Sequence, residues 1–343
     1  MNNSIDIKTI AIAAIIAAAI YVSGLLVIMA PLPLLYIYAA HGRRPGLFTA
    51  VLASIMVALS YLIIPTLMGS LSADSTSALP GVAFLGVLGK GDAFLFGCGY
   101  FLFYVAIAVA LGEGLSRRWP LFRVGGVAVM SALAMLLFLV ILMALSGDSL
   151  IAGAKEYIVA ALNELGQINT SAGAGSVYAE LMVENSEEIA IFILKVMPSL
   201  VFVYSLIVVT LNFLLGRRIL AKRGKKVIST KKLNLKLPDW LVWFVIASGF
   251  LFFADKYLFS MGALATLAIN SLIALLALYF LQGMAVISHV LQGVRTPIIR
   301  TLAYVLIIIF FQTISIAIVA VGLADVWANF RLKKLKPTHN HSS

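Results

Sequence analysis

Long apolar runs alternate with shorter polar segments along the chain. Five runs precede residue 216 and three follow residue 236; they are Thr9–Ala30, Gly46–Met68, Phe94–Leu111, Val124–Leu145, Ile189–Leu215, Trp240–Ala254, Tyr257–Val294 and Thr301–Ala324. A helix that crosses about 30 Å of hydrocarbon needs roughly 20 apolar residues, and most runs meet that length. With a shorter run from Leu32 to Ala40, the pattern predicts an all-α polytopic transmembrane helical bundle of about eight to nine hydrophobic segments.

Two of these segments have lengths that leave the number of crossings open. Prolines break the first run, and Leu32–Ala40 is too short to cross unless neighbouring helices shelter it. Tyr257–Val294 would be about 57 Å long as one helix at 1.5 Å per residue. It must therefore tilt steeply, break near Gly283 or project from the bilayer. Whether the short run and the end of the long run, residues 284–293, cross the membrane stays open.

The polar segment Gly216–Lys236 carries nine of the chain's 25 Lys and Arg residues and no acid. Basic segments beside membrane spans stay on the inner face, because Lys and Arg resist translocation and meet anionic lipid there. We therefore expect a cytoplasmic loop and a multi-pass protein of the bacterial inner membrane. A nucleic-acid-binding arm would not normally lie between two segments that cannot dissolve in water, so the charge does not indicate nucleic acid.

The basic segment also suggests how the chain is divided. We expect an N-terminal transmembrane bundle over residues 1–215, a basic loop over 216–236, C-terminal transmembrane helices over 237–331 and a polar tail over 332–343. The last apolar run, beginning at Thr301, is expected to form one span. Three crossings after the loop would place the basic tail outside the membrane, which contradicts the charge rule. The sequence does not decide the side of the tail.

Residues 146–188 contain seven of the 14 acids against a single base, Lys155, which fits an external region. Within it, Ile151–Leu165 has apolar residues at helical spacing and predicts an amphipathic helix that lies on the membrane or caps the bundle. Asn163–Ser176 is rich in small residues and is interpreted as a linker. We expect this region on the side of the membrane opposite the basic loop.

Composition supports the membrane assignment and narrows the chemistry. Apolar residues make up 62% of the chain and charged residues 11%, and the mean hydropathy is +1.06, whereas a soluble domain is roughly 25% charged. Cys98 is the single cysteine, which rules out a disulfide within the chain. Neither a nucleophile with its base nor a cluster of metal ligands occurs at useful spacing. We therefore expect no enzyme activity, no metal and no cofactor.

Four polar residues in or beside apolar segments are candidate substrate-binding residues. Lys90 and Asp92 lie between glycines at a membrane boundary and either pair as structural contacts or touch a ligand. Their spacing does not match a phosphate-binding loop. Lys195 and His289 lie within apolar runs, where an ionisable residue is a candidate for a functional site. The alternatives are that Lys195 snorkels to the interface and that His289 is a hydrogen-bonded core residue.

Small and basic residues near the start of the chain are candidates for docking a partner. Ala14 and Ala18 are four residues apart on one face of the first helix, and small residues at this spacing let a second helix approach closely in lipid. This face serves either a partner or a seam within the protein itself. Arg43 and Arg44, at an expected inner turn, are the other docking candidates.

Five blocks of sequence resemble the YybS-like family of bacterial membrane proteins. They are PLPLLYIYAAHGRRPG (31–46), MPSLVFVYSLIVVTLNFLLGRRIL (197–220), LPDWLVW (237–243), LQGMAVISHVL (281–291) and VGLADVWANFR (321–331). The similarity runs in order from about residue 9 to residue 331. Because the family has no established activity, the resemblance implies a polytopic membrane protein and nothing about its reaction.

The order of segments before residue 216 also resembles, at the level of architecture, the S components of energy-coupling-factor vitamin transporters. Those proteins have six helices, a short second helix after a long first one, small-residue faces that meet a coupling subunit, and external loops over a ligand pocket. The resemblance implies a small-molecule ligand, with a membrane coupling subunit and ATPases supplied in trans. This chain departs from the pattern, because three further apolar segments follow the basic loop.

Two functions agree with these features. The first is a small-molecule binding or uptake subunit that lacks its own ATPase, since the chain has no nucleotide-hydrolysis motif. The alternative is a membrane scaffold or assembly factor without transport activity, which would dock partners through its basic loop and long helices. In both cases the protein is expected to sit in the lipid bilayer.

Overall fold

The computed structural model describes residues 7–68, 90–119, 121–146, 149–171, 176–224, 236–259, 261–294, 296–328 and 330. Every regular element in these residues is helical, as the apolar pattern predicts. The chain divides into two compact units, Met1–Ser229 (unit 1) and Thr230–Ser343 (unit 2). The division falls inside the basic segment.

Unit 1 has eight helices in its described residues. They are α1 (Ile7–Val22), α2 (Pro31–His41), α3 (Arg43–Met68), α4 (Lys90–Ser116), α5 (Leu121–Ser146), α6 (Ser149–Ser171), α7 (Ser176–Glu184) and α8 (Ser186–Lys222), with a 3-10 turn at Val27–Met29. Helix α4 packs against α2, α3 and α5, while α8 packs against α2, α5 and α6. Helices α2, α4 and α8 therefore form the centre of the unit.

Helix α2 is short and lies among longer helices. Its 11 residues extend about 16 Å at 1.5 Å per residue, which is too short to cross a bilayer. Pro31 begins the helix, where a missing backbone N–H has no cost. Leu34 and Leu35 are buried, and the Tyr38 hydroxyl donates to the Glu113 carboxylate at 2.8 Å. Neighbouring helices therefore shelter a segment that could not cross alone.

An irregular segment between α1 and α2 is attached to the centre of unit 1 by one asparagine. Gly24 and Leu26 have positive φ angles of 69° and 53°, in the left-handed region. Asn212 of α8 is fully buried and donates its amide to the Ile28 carbonyl at 2.7 Å. The hydrogen bond fixes where the chain turns from α1 into α2.

The amphipathic region after α5 folds into two helices. Helix α6 continues to Ser171, so the prediction of a linker from residue 163 is wrong for residues 163–171. The small residues there allow helix packing, because the backbone of Gly166 lies directly against the Val183 side chain of α7. Lys155 of α6 also pairs with Glu187 at the start of α8 at 2.9 Å.

Unit 2 contains four helices in its described residues. They are α9 (Leu241–Ala254), α10 (Ala263–Gln292), α11 (Pro297–Ile309) and α12 (Phe311–Ala328), and a π-helical turn at Asp255–Phe259 follows α9. Helix α10 is continuous through Gly283, so a break near that residue, one of the three alternatives for the long run, does not occur. The run from Thr301 is interrupted at Phe310 and forms parts of two helices, not the single span expected from the sequence.

Helices α10 and α12 meet at two glycines. A methyl group on Gly283 would overlap the Ile318 carbonyl, and one on Gly322 would overlap the Tyr279 carbonyl. Because these are backbone atoms, neither overlap can be relieved by rotating a side chain. The absence of side chains at both positions therefore allows the two helices to touch, in the manner of close crossings in membranes.

A buried glutamine joins the two ends of the described part of unit 2. Gln282 has no exposed surface, and its Oε1 accepts the backbone N–H of Leu237 at 3.0 Å. Its Nε2 donates to the Gly322 carbonyl at 3.1 Å and to Asp325 Oδ2 at 3.2 Å. Asp325 Oδ1 in turn accepts the backbone N–H of Phe330 at 3.1 Å. We call Leu237, Gln282, Asp325 and Phe330 the Gln282 network.

Seven of the described helices are long and apolar enough to cross a membrane; they are α3, α4, α5, α8, α9, α10 and α12. Helices α1, α2 and α11 are shorter and also apolar. Large apolar side chains are exposed on several of these helices, for example Leu137 at 61% and Phe250 at 72%. Such a surface is stable only in contact with lipid. The protein is therefore a polytopic helical membrane protein.

Candidate functional site

Five tyrosines from four helices of unit 1 converge in one place, which we call the tyrosine cluster. They are Tyr21 of α1, Tyr61 of α3, Tyr100 and Tyr104 of α4, and Tyr204 of α8. The ring centroids of Tyr100 and Tyr104 are 5.1 Å apart, and those of Tyr100 and Tyr204 are 6.5 Å apart. The Tyr21 ring lies edge-on to Tyr104 at 5.9 Å. These distances are those of interacting aromatic pairs.

The hydroxyl groups of the cluster are connected to one another and to the backbone. The Tyr21 hydroxyl donates to the Gly97 carbonyl at 2.6 Å, and the Tyr61 hydroxyl lies against the Tyr21 hydroxyl. The Tyr104 hydroxyl donates to that of Tyr100 at 2.9 Å and also contacts the hydroxyl of Tyr204. The cluster therefore forms a polar island in an otherwise apolar bundle.

Burial differs among the five rings. Tyr21 and Tyr104 are buried, whereas Tyr61, Tyr100 and Tyr204 keep part of their surface exposed. A buried phenol needs a hydrogen-bond partner, since an unsatisfied hydroxyl costs about 1–3 kcal/mol. The two buried rings therefore stabilise the packing of unit 1, and the three half-buried rings keep part of their surface accessible.

The local sequence of α4 explains much of the arrangement. Tyr100 and Tyr104 are four residues apart and so lie on one helical face, and Gly97 is three residues earlier on the same face. Tyr104 contacts Tyr204 of α8. Further along, the Leu115 side chain of α4 lies close to Gly216 of α8. Because the residue numbers rise together along both helices, α4 and α8 run in parallel.

Three of the four candidate ligand contacts lie on α4 and α8, two of the four helices that form the cluster. Lys90 and Asp92 are at the start of α4, and their side chains lie outside the described residues. Lys195 is exposed on α8, nine residues before Tyr204, or about 14 Å along the helix. Because α4 and α8 are parallel, the three residues lie toward the same end of unit 1, beyond the tyrosine cluster.

The other sequence-predicted residues lie elsewhere. His289 is half-buried on α10 of unit 2. Ala14 and Ala18 are buried within unit 1, where α1 packs against α2 and α3, so the alanine face forms a seam inside the protein. Arg43 and Arg44 are exposed at the start of α3. Roles for these residues in binding a ligand or docking a partner stay predictions.

The tyrosines were not among the residues singled out from the sequence. The spacing of Tyr100 and Tyr104 was visible and places two phenols on one face of an apolar helix. The other three come from segments far apart in the chain, and each is unremarkable as a single aromatic residue in a membrane helix. Only their convergence marks the site, and the linear sequence does not contain it.

A family model described as "Predicted membrane protein (DUF2232)" matches residues 79–326. This match covers most of the chain, from before α4 to Val326 in the last turn of α12, and the chain belongs to that family. No curated protein matches the chain, and no solved structure does. The similarities to YybS-like proteins and to S components stay predictions.

Proposed function

We propose that the protein is a small-molecule binding subunit of an uptake system, with its ligand held at the tyrosine cluster. The observation that carries the proposal is the convergence of five tyrosines from α1, α3, α4 and α8 inside unit 1. Binding sites for small molecules combine apolar and aromatic walls with a few polar groups that fix orientation. The cluster supplies both.

The chemistry of the cluster favours a flat ligand with hydrogen-bonding groups at its edge. Phenol rings offer stacking surfaces, and their hydroxyl groups both donate and accept hydrogen bonds. Phe96 and Phe103 stack on Tyr100 at 5.9 and 6.0 Å, so the walls around the hydroxyl groups are aromatic. An aromatic heterocycle is the ligand class that fits such walls.

The ligand would approach from the end of unit 1 that carries Lys90, Asp92 and Lys195. If the basic segment is cytoplasmic, as its charge favours, that end faces outward and a ligand would be taken from outside the cell. The chain has no nucleotide-hydrolysis motif, so transport would need energy from a coupling subunit and ATPases in trans.

Native mass spectrometry of the protein purified gently from its own membranes tests this proposal. We expect a retained small molecule that absorbs as an aromatic compound. Tyr100→Phe keeps the ring and removes one hydroxyl, so it should lower occupancy about two- to tenfold, the scale of one hydrogen bond. Tyr257→Phe is the matched control, because Tyr257 is exposed in unit 2 and its hydroxyl lies outside the cluster.

Equal occupancy in the Tyr100→Phe and Tyr257→Phe proteins would contradict a site at the cluster. A protein that carries no small molecule, and binds none from an extract of its own cells, would contradict the binding function. Thermal unfolding of each variant, followed by tryptophan fluorescence, shows whether lost occupancy comes from a local change or from unfolding.

A scaffold function is favoured by one different observation. Helix α9 exposes aromatic side chains along one face, including Trp240, Trp243 and Phe250 at 57%, 67% and 72%. Aromatic residues are enriched at protein interfaces, although the same face is suited to lipid. A stoichiometric protein partner that is retained by the native protein and lost in Trp243→Ala would favour the scaffold.

A further inference from the structure

A groove on the surface of unit 1 lies between α1, α2 and the end of α8. Its volume is about 450 Å³, and it is lined by Thr9, Ile12, Ala13, Ile16, Leu32, Pro33, Tyr36, Ile37, Ile219 and Arg223. That volume is within the range of roughly 300–1,000 Å³ found for small-molecule sites. Most of the lining is aliphatic, so the groove is suited to a hydrocarbon chain.

The polar residues of the groove lie at one end. Thr9 is in the first turn of α1, and Arg223 caps the end of α8. Tyr36 is one turn and a half from the end of α2, and its ring packs edge-on to His41 at 6.0 Å. Ile16 is about 10 Å further along α1 than Thr9, toward the apolar end. The groove therefore changes from polar to apolar along its length.

The polar end is positively charged. Arg223 is exposed and follows Lys222 at the end of α8, within the basic segment. Arg223 forms no ion pair with any carboxylate in the part of the chain that the structure describes, whereas Arg117, Lys155 and Lys236 are each paired with an acid.

We propose that the groove binds an anionic phospholipid. Its acyl chain lies along Ile12, Ile16 and Leu32, and its phosphate accepts hydrogen bonds from Arg223 and the Thr9 hydroxyl. The guanidinium group matches a phosphate with two parallel donors, and Arg223 lies within the basic segment, where anionic lipid headgroups are expected. A single bound lipid thus holds the ends of α1 and α8 together.

Lipid binding is measured by native mass spectrometry of the full chain with added phosphatidylglycerol, phosphatidylcholine or inorganic phosphate. Arg223→Gln should lower retention of phosphatidylglycerol by about threefold, the scale of one partly exposed ion pair. Arg218→Gln is the matched control, since it removes the same charge from an exposed position on α8 outside the groove. Phosphatidylcholine should be retained less by the wild type and be insensitive to both variants.

Three results would overturn the lipid site. Equal losses in Arg223→Gln and Arg218→Gln would mean that net charge alone attracts the lipid. Competition by inorganic phosphate as strong as that by phosphatidylglycerol would mean that the groove takes an anion and not a lipid chain. Ile16→Asn, which places an amide in the apolar end, should lower phosphatidylglycerol retention, and unchanged retention would likewise contradict the proposal.

Both ends of the described part of unit 2 are attached to the Gln282 network. That part begins at Lys236 and ends at Phe330, and the backbone N–H groups of Leu237 and Phe330 are hydrogen-bonded to Gln282 and Asp325. The basic segment that ends at Lys236 and the tail that begins at Arg331 therefore leave the unit at the same end. Helix α10 places Gln282 about 29 Å from its start at Ala263, which is close to the thickness of the hydrocarbon core.

Helix α12 lies across α10 at this level. The Phe311 ring at the start of α12 is 5.7 Å from that of Phe280, while Asp325 near its end bonds Gln282. Both ends of an 18-residue helix thus meet side chains from one turn of α10. If α12 ran alongside α10 through the bilayer, Phe311 and Asp325 would contact residues of α10 that are about 21 Å apart.

We infer that α9 and α10 are the two segments of unit 2 that cross the membrane, and that α12 lies near the interface although it is long enough to span. Both basic segments are then on one side, which removes the conflict with the charge rule that arises when three crossings are counted. The inference does not depend on which side that is, or on the proposed function.

Single cysteines in a Cys98→Ser background test this topology with a membrane-impermeant maleimide, in intact and in permeabilised cells. Ser229→Cys and Ser342→Cys should label alike, and Ser260→Cys, in the α9–α10 connection, should show the opposite accessibility. Labelling of Ser342→Cys together with Ser260→Cys would overturn the inference. Membrane insertion of each variant is confirmed by extraction at high pH.

Discussion

Two glycines, Gly283 and Gly322, determine the closest contact between helices in unit 2, which is between α10 and α12. At Gly322 a methyl group would overlap the Tyr279 carbonyl and approach the backbone nitrogen of Gly283. Backbone atoms yield only if the helices move apart, and that movement would also separate Gln282 from Asp325. A glycine here is required by the distance between two helices and not by the backbone angles of its own helix.

Gly322→Ala should therefore destabilise unit 2 by about 1–3 kcal/mol, as overpacking does in other cores. Gly249→Ala is the matched control, because nothing lies within 4 Å of a methyl at Gly249 of α9. That substitution should be neutral or stabilise by up to about 1 kcal/mol, since alanine favours helix. Thermal unfolding followed by tryptophan fluorescence measures both, and three of the four tryptophans are in unit 2. An equal effect of the two substitutions would contradict the close contact.

In unit 1, a single asparagine, Asn212, links two parts of the fold by hydrogen bonds. Its side chain donates to the Ile28 carbonyl across the unit and to the Val208 carbonyl in its own helix, each at 2.7 Å. Asn212→Leu keeps a similar volume and removes the cross-link, so we expect a loss of about 1–3 kcal/mol. Asn270→Leu is the control, since Asn270 donates to Thr266 of the same helix. Comparable melting temperatures for the two variants would show that the Asn212 bond has little effect.

At the scale of elements, the connection between α9 and α10 depends on a buried acid. Asp255 is 3% exposed, and its carboxylate accepts the backbone N–H groups of Met261 and Gly262 at 3.1 and 3.0 Å. Two backbone N–H donors satisfy the carboxyl oxygens, as a buried polar group requires. The Asp255 side chain therefore helps to specify the turn between α9 and α10, in addition to the polar character of the residues there.

Asp255→Ala should leave both N–H groups unsatisfied and cost about 1–3 kcal/mol. Asp239→Ala serves as the control, because Asp239 is an exposed acid whose pair with Lys236, at 3.4 Å, is worth about 1 kcal/mol or less. Hydrogen exchange at Met261 and Gly262 provides the direct measurement. Unchanged protection of both amides in Asp255→Ala would exclude the carboxylate as their partner.

Element boundaries were predictable where one local property controlled them. Helix α2 follows its prolines closely, and α9 ends before the charged pair Asp255 and Lys256, as the pattern indicated. The interruption at Phe310 carried no proline or glycine signal, so a continuous span was expected there. Small residues in α6 were interpreted as a linker because the sequence does not show that α7 packs on them.

At the scale of the whole molecule, the chain forms two compact units. The interior of unit 1 is built from α1 to α8, and that of unit 2 from α9 to α12. The tyrosine cluster and the α1–α2–α8 groove lie in the first, and the Gln282 network lies in the second. Each unit therefore has its own stabilising core.

A specific protease site inserted between Ser229 and Thr230 tests this independence. We expect the cleaved protein to keep the tryptophan-fluorescence melting profile of the intact protein, because the core of unit 2 contains Val242, Tyr279 and Val326 from its own helices. The inserted but uncleaved protein is the control. Aggregation or a lower melting temperature on cleavage alone would show that unit 2 depends on a covalent link to unit 1.

The sequence by itself determined the helical class, the membrane environment and the position of the basic segment. These features follow from run length, hydropathy and charge, which are properties of neighbouring residues. Tertiary structure alone decided that five tyrosines meet, that α2 is sheltered and that α12 lies across α10. Those outcomes depend on contacts between residues such as Tyr21 and Tyr104, or Gln282 and Asp325. Such residues are far apart in the chain, and the fold brings them together.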